Sequence, residues 1–183
     1  KNNSSVFWQP KSTGDGRFKN WLENLNDWNL SRSRFWGTPI PVWVTKDEKE
    51  VLCVGSVKEL FELCEASVAV GFMSENPLKD FVVGDMSDQN YNSIDLHKHV
   101  VDKIILCSGS GKKMFREPDL IDVWFDSGAM PFAQFHYPFE NKSVIDNRVG
   151  FPADFIAEGV DQTRGWFFTL HAISSMCFDS VAF

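Results

Sequence analysis

The sequence has few cysteines, and their spacing excludes a dense disulfide framework. Its 183 residues contain four, and none forms the Cys-x-x-Cys pair typical of zinc ribbons. They are Cys53, Cys64, Cys107 and Cys177. We therefore predict reduced, mostly buried thiols. His97 and His99 could join Cys107 as metal ligands, but we favour solvated histidines and predict no metal in this chain.

The sequence also lacks an excess of positive charge and any long apolar run. It has 18 Lys and Arg against 25 Asp and Glu, a net charge of −7, which argues against a broad surface that tracks nucleic-acid phosphates. Nothing approaches the ~18 apolar residues of a membrane span, and no signal peptide is visible. We predict a cytoplasmic protein with no membrane contact. Because the chain starts at Lys1 and ends inside an apolar run, we expect it to be a piece of a larger protein.

The N-terminal third combines one amphipathic helix with a β-hairpin. Residues 1–15 are polar and predict a loop, and apolar residues then recur at helical spacing from Phe18 to Leu25. Two short apolar segments, residues 40–45 and 51–54, are separated by a polar turn and predict paired strands. We group these elements, residues 1–52, as one predicted domain segment.

The middle of the chain predicts a small insert with a helix and a second hairpin. Ser56 and Glu59 form a capping-box pattern before a helical run. Residues 71–99 are polar and irregular, and we interpret them as a surface excursion. Strands are predicted at residues 101–106 and 113–116, with a Gly/Ser turn between them. We assign residues 53–119 to this insert.

Two motifs dominate the last third of the chain. They are Asp122-Val123-Trp124-Phe125-Asp126-Ser127-Gly128 and Glu158-Gly159-Val160-Asp161-Gln162-Thr163-Arg164-Gly165-Trp166-Phe167. Val123–Phe125 and Phe155–Ala157 are short apolar runs that suit buried parallel strands, and a helix is predicted from Trp166. The fold class is therefore predicted as α/β, with residues 120–183 forming part of a doubly wound (Rossmann-like) parallel sheet that carries the α+β hairpin-and-helix insert.

Each motif residue also has a simpler structural interpretation. Asp161 could only cap the final helix, and Glu158 could be an ordinary carboxylate at a strand end. Taken together, the acidic and amide groups beside tryptophan and glycine favour a pocket that holds an apolar side chain next to hydroxyl or ammonium groups.

The motifs resemble those of the isoleucyl-tRNA synthetases, which are class I aminoacyl-tRNA synthetases. The resemblance rests on three regions in the family's order and covers nearly the whole length. The regions are residues 29–41 (Asn-Leu-Ser-Arg-Ser-Arg-Phe-Trp-Gly-Thr-Pro-Ile-Pro), the motif at 122–128, and residues 151–154 continuing into 158–167. Gln162 and the Arg-Gly-Trp run are more similar to the isoleucine enzymes than to their valine or leucine relatives.

The resemblance implies a parent enzyme that uses ATP and Mg to convert isoleucine to isoleucyl-adenylate and then transfers it to tRNA(Ile). It implies a monomeric parent in which this chain supplies half of the active site and no catalytic residue. The implied aminoacyl-adenylate contacts come from both motifs. They are Glu158, Gly159, Asp161, Gln162, Trp124 and Trp166, with the two tryptophans as walls of the isoleucine side-chain pocket.

The family's two ATP signatures and its threonine-rich editing motif are absent from this sequence. We therefore expect the chain to follow the editing insert and to be inactive alone. Two alternatives stay open, a non-catalytic structural or tRNA-contacting module and the equivalent part of a valyl-tRNA synthetase. Arg32 and Arg34, with Trp36, could contact tRNA or form a plain salt-bridged face.

Overall fold

The computed structural model describes residues 1–183. Its α-helices are α1 (Lys19–Glu23), α2 (Val57–Ala69), α3 (Asp88–Tyr91), α4 (Lys98–Val101), α5 (Val123–Ala133), α6 (Lys142–Asp146) and α7 (Trp166–Phe178). A π-helix covers Thr13–Phe18, and 3-10 helices cover Asn2–Ser5 and Val160–Arg164. The strands are β1 (Ser31–Arg32), β2 (Val42–Thr45), β3 (Val51–Cys53), β4 (Ile105–Cys107), β5 (Lys113–Arg116) and β6 (Leu120–Ile121).

The chain divides into two compact units. Unit 1 comprises Lys1–Leu30 and Asp122–Phe183, and unit 2 comprises Ser31–Ile121. No helix in either unit is both long enough and apolar enough to cross a membrane.

Unit 2 is built on a four-stranded antiparallel sheet in the order β3-β2-β5-β4. Alternate side chains of the central strands point into the core, where Trp43 is 2% exposed and Met114 is 2% exposed. The Trp43 indole N–H donates to the Ile104 carbonyl at 3.0 Å, so the largest core side chain also has its polar atom satisfied. β1 and β6 form a separate antiparallel pair.

Unit 1 is mainly helical, and its core lies where α5 packs against α7. Phe132 from α5 and Leu170 and Ile173 from α7 are each less than 10% exposed. Gly128 makes this close approach possible, because a Cβ at that position would lie 2.9 Å from the Thr169 Cβ and from the Ile173 Cδ1.

Several elements predicted from local pattern are confirmed. β2 and β3 form the predicted hairpin. The Ser56 hydroxyl accepts the Glu59 N–H at 3.0 Å at the start of α2, as the capping pattern predicts. The turn after residue 107 leads into β5, and the final helix begins at Trp166.

The predicted strands of the last third are wrong. Val123–Phe125 begins α5, and Val123 is 60% exposed. Residues 155–157 have no regular secondary structure, and Phe155 is 80% exposed. The fold is mixed α/β, but every strand pair is antiparallel, so the predicted doubly wound parallel sheet is not found within these residues. A three-residue apolar run fits a strand or a helix turn equally well, and packing on α7 selects the helix.

The middle of the chain also differs from its prediction. Residues 71–99 are not only a surface excursion, because Leu78 is 0% exposed and Phe81 is 6% exposed in the core of unit 2. Val101 ends α4 rather than starting a strand, and β4 begins at Ile105.

We expect Gly128→Ala to lower the free energy of unfolding by about 1–3 kcal/mol, because the new methyl group overpacks the contact between α5 and α7. Urea unfolding of the chain measures this change. Gly16→Ala is the matched control, because a Cβ there meets no atom within 4 Å. Equal unfolding midpoints for the two variants would show that α5 and α7 do not pack this closely.

Candidate functional site

The buried carboxylate of Asp122 fixes the position of Trp124. Asp122 is 4% exposed, and its Oδ1 accepts the Trp124 backbone N–H at 3.3 Å as the N-cap of α5. Its Oδ2 accepts the Trp28 indole N–H at 2.9 Å. The Asp122 N–H in turn donates to the Leu30 carbonyl at 2.8 Å. The first turn of α5, and with it the Trp124 side chain, is therefore anchored to the segment around Trp28.

The second motif folds as the 3-10 helix Val160–Arg164, which packs against the N-terminal segment of the chain. Thr163 is 0% exposed, and its hydroxyl donates to the Val160 carbonyl at 2.7 Å. The same oxygen accepts the Arg17 Nε–H at 3.0 Å. The Arg164 guanidinium lies over the Trp21 ring at 5.3 Å. These contacts hold the turn between Gly159 and Gly165 against the helical segment that precedes and includes α1.

Gln162 joins this turn to the start of α7. Its Oε1 accepts the Trp166 backbone N–H at 3.0 Å, a donor that has no partner within the helix. Its Nε2 donates to the Asp161 Oδ2 at 3.3 Å. A Cβ on Gly165 would lie 2.6 Å from the Gln162 Oε1 and 3.4 Å from the Trp124 Cη2. A side chain at Gly165 would therefore displace the Gln162 amide from its bond to Trp166, whereas it would only touch the Trp124 ring.

The two tryptophans belong to one cluster. The Trp166 indole N–H donates to the Ser127 carbonyl of α5 at 3.0 Å. Trp124 is 44% exposed, so part of its ring is available as an apolar wall. We call Trp124, Gln162, Gly165 and Trp166 the tryptophan cluster.

The acidic residues lie at the exposed rim of this motif. Asp161 is exposed and bonded to Gln162, while Glu158 is exposed and forms no hydrogen bond or ion pair. Gly159 sits beside Asp161, because a Cβ there would lie 2.5 Å from the Asp161 Oδ1. The predicted residues Trp124, Asp161, Gln162 and Trp166 are therefore brought together, whereas Glu158 is not bonded to them. Without cationic partners, both carboxylates can accept hydrogen bonds from hydroxyl or ammonium groups.

Sequence reasoning missed the residues that support the site. Arg17, Asp122 and Thr163 position the two motifs, and no role was predicted for them. Asp122 carried a usable signal, because an aspartate directly before an apolar run is a typical helix N-cap. Arg17 carried none, since its contact with Thr163 joins distant parts of the chain.

Comparison with known proteins confirms the resemblance seen in the motifs. Residues 1–183 match the family model for tRNA synthetases class I (I, L, M and V). An isoleucine–tRNA ligase of Bacteroides thetaiotaomicron is 64% identical over 183 residues, which cover 99% of this chain and 16% of the relative. An isoleucine–tRNA ligase of Porphyromonas gingivalis is 62% identical over 175 residues, 96% of this chain and 15% of the relative.

A more distant relative is the cytoplasmic isoleucine–tRNA ligase of Schizosaccharomyces pombe. It is 44% identical over 184 residues, which cover 100% of this chain and 15% of the relative. The chain thus spans 15–16% of the length of these curated relatives.

We expect Gln162→Ala to lower the free energy of unfolding by about 0.5–2 kcal/mol, because the Trp166 N–H loses its acceptor at the first turn of α7. Denaturant unfolding monitored by circular dichroism measures the loss. Gln162→Glu, which keeps an acceptor oxygen at the same reach, is the control and should stay closer to the unsubstituted chain. Equal losses in the two variants would argue against the capping role.

Proposed function

Because the chain belongs to the class I tRNA synthetases (I, L, M and V), we propose that it is part of the catalytic domain of an isoleucine–tRNA ligase. Identities of 62–64% to two bacterial isoleucine–tRNA ligases support this assignment. The parent activates isoleucine with ATP and Mg and transfers it to tRNA(Ile). We further propose that the parent is monomeric and cytoplasmic.

The tryptophan cluster is the observation that carries the proposal for the site. Trp124 and Trp166 come from different motifs, yet both lie against the Gln162 turn. We assign the apolar face of these indoles to the isoleucine side chain, because tryptophan offers a large and rigid surface. Glu158 and Asp161 accept hydrogen bonds from the ammonium group and the adenylate ribose. Gly159 and Gln162 complete the contacts of the ribose and the amino acid.

In the reaction assigned to the parent, a carboxylate oxygen of isoleucine attacks the α-phosphorus of ATP. The bond to the β-phosphate oxygen breaks, and pyrophosphate leaves. A ribose hydroxyl of the terminal tRNA nucleotide then attacks the acyl carbon, and AMP leaves. The residues of this chain supply positioning for the adenylate, which lowers the barrier by holding the reacting groups in line.

An apolar pocket formed by two tryptophans favours binding of isoleucine over valine by only ~1–3 kcal/mol of free energy, because the two side chains differ by one methylene. Isoleucine-specific synthetases are the standard example of this limit. The proposed pocket is therefore a first selection step. It does not by itself supply the accuracy that translation needs.

The larger architecture is part of the same proposal. We propose that unit 1 packs onto the doubly wound parallel sheet of the parent. The division into residues 1–52, 53–119 and 120–183 is likewise proposed, with the middle segment as an insert in the catalytic domain. Because the ATP signatures are absent from this sequence, we expect no isoleucine-dependent exchange of pyrophosphate into ATP by the chain alone.

Two other functions make different predictions. A non-catalytic structural or tRNA-contacting module would not bind an aminoacyl-adenylate analogue. The valine equivalent would bind the valyl form more tightly than the isoleucyl form. The relatives at 64% and 62% identity favour the isoleucine assignment.

We expect Glu158→Gln to weaken binding of a non-hydrolysable isoleucyl-adenylate analogue by about tenfold or more, because a hydrogen bond to a charged acceptor contributes ~1.5–3 kcal/mol. Calorimetric titration of the 183-residue chain measures the change. Asp154→Asn is the matched control, since Asp154 is an exposed carboxylate of the preceding segment and has no assigned contact. Equal affinity of the Glu158→Gln variant and the unsubstituted chain would contradict the assignment of Glu158.

A further inference from the structure

Three aromatic rings stack on the surface of unit 2, a unit that contains no residue assigned to the adenylate. The Trp36 and His97 rings lie 4.0 Å apart between centroids at an angle of 21°. The His97 and His99 rings lie 6.4 Å apart at an angle of 19°. We call Trp36, His97 and His99 the ring stack. Sequence reasoning favoured ordinary solvated histidines here over metal ligands, and it left open whether Trp36, with Arg32 and Arg34, contacts tRNA or belongs to a plain salt-bridged face.

Asp95 holds the two imidazoles in this orientation. Its Oδ1 lies 2.8 Å from the His97 Nδ1 and accepts the His97 backbone N–H at 2.8 Å. Its Oδ2 lies 3.3 Å from the His99 Nε2. The backbone and ring of His97 lower the pKa of Asp95, which keeps the carboxylate ionised. The rings are therefore set in place before any ligand arrives, which reduces the entropy lost on binding.

Gly37 sets the position of the indole. Its φ of +149° is a value that side-chain-bearing residues rarely adopt. A Cβ there would also lie 3.3 Å from the Leu120 Cδ1. Trp36 is nevertheless 64% exposed and the neighbouring Phe35 is 86% exposed. Because His97 covers one face of the indole, the exposed area includes the opposite face.

A cavity of about 260 Å³ lies beside the ring stack, lined by all three rings together with Phe35 and Lys98. This volume lies just below the usual range for drug-sized ligands, ~300–1,000 Å³, and suits a single planar ring system. The rim offers polar atoms in the imidazole edges, so the site is not a purely apolar groove.

The acidic group that lines the cavity, Asp102, is already paired with cations, and a further cation, Arg34, lies two positions before Trp36 in sequence. Asp102 forms ion pairs with the buried side chain of Arg116 and with Lys98, the latter at 3.1 Å. Burial alone would raise the pKa of Asp102, but the hydrogen bonds from Arg116 and Lys98 outweigh burial and lower it. Arg34 is exposed next to Phe35 and forms no ion pair.

We propose that the ring stack is a binding site for an unpaired nucleobase, which lies against the face of the Trp36 indole that His97 leaves uncovered. Parallel exposed rings are a feature of proteins that bind single-stranded nucleic acids, because every base has a π-face that stacks on an aromatic side chain. The site is local, so the net negative charge of the chain does not oppose it. The proposal does not rest on the adenylate pocket of unit 1, and it fails or holds independently of that pocket.

The test uses fluorescence anisotropy of the 183-residue chain with a fluorescein-labelled single-stranded RNA of four adenosines. Trp36→Ala should weaken binding by about 5- to 150-fold, the loss measured when one base loses its aromatic platform. Trp36→Phe should restore most of the affinity. Phe115→Ala is the matched control, because Phe115 is 45% exposed on β5 and should leave binding unchanged.

Two further ligands identify what the site recognises. An abasic strand of equal charge should bind at least fivefold more weakly than the RNA. Competition of AMP with the labelled RNA tells whether a free nucleotide is enough for binding or a strand is needed. Equal binding of the abasic strand, or unchanged binding by Trp36→Ala, would overturn the proposal.

A second measurement uses the unsubstituted chain, so it remains valid if the Trp36→Ala variant does not fold. In the unsubstituted chain labelled with 5-fluorotryptophan, the fluorine resonance of Trp36, assigned from Trp36→Phe, should shift on addition of the RNA. A resonance that does not move at saturating RNA would also overturn the proposal.

Discussion

The geometry of unit 1 depends on the carboxylate of Asp122. It is buried at the point where the chain enters α5, and it accepts hydrogen bonds from the Trp124 backbone and the Trp28 indole. Removing the carboxylate would leave two partly buried donors without this acceptor, which destabilises the first turn of α5 and its contact with Trp28. Since Trp124 is the second residue of α5, the same carboxylate fixes the position of this tryptophan, which forms one wall of the proposed pocket.

The rest of the pocket follows from how closely α5 and α7 approach each other. Gly128 permits the contact between the helices, and Gly165 leaves space for the Gln162 amide beside the Trp124 ring. Gln162 then caps the N-terminus of α7 at Trp166, whose indole reaches back to the Ser127 carbonyl. The side chains that form the proposed pocket thus also stabilise the helices that carry them, so we expect ligand binding at this pocket to stabilise the fold of unit 1.

Sequence reasoning succeeded where the signal was local. The Ser56 cap of α2 and the β2–β3 hairpin depend on residues a few positions apart, and both are confirmed. It failed for α5, because Gly128 and Pro131 disfavour a helix, whereas the Asp122 cap and the contact with α7 stabilise it. The residues of the candidate site were proposed from family resemblance, but their mutual contacts were not predicted. Those contacts, and the stack of Trp36 on His97, join residues far apart in sequence, and no local pattern encodes them.

The central claim is that the two indoles of the tryptophan cluster enclose the isoleucine side chain of the adenylate. The most direct test is isotope-edited NMR of the 183-residue chain with an isoleucyl-adenylate analogue carrying ¹³C-labelled methyl groups. The account predicts nuclear Overhauser effects from these methyl groups to the indole protons of both Trp124 and Trp166. A bound analogue whose methyl groups show effects only to other residues would contradict the account.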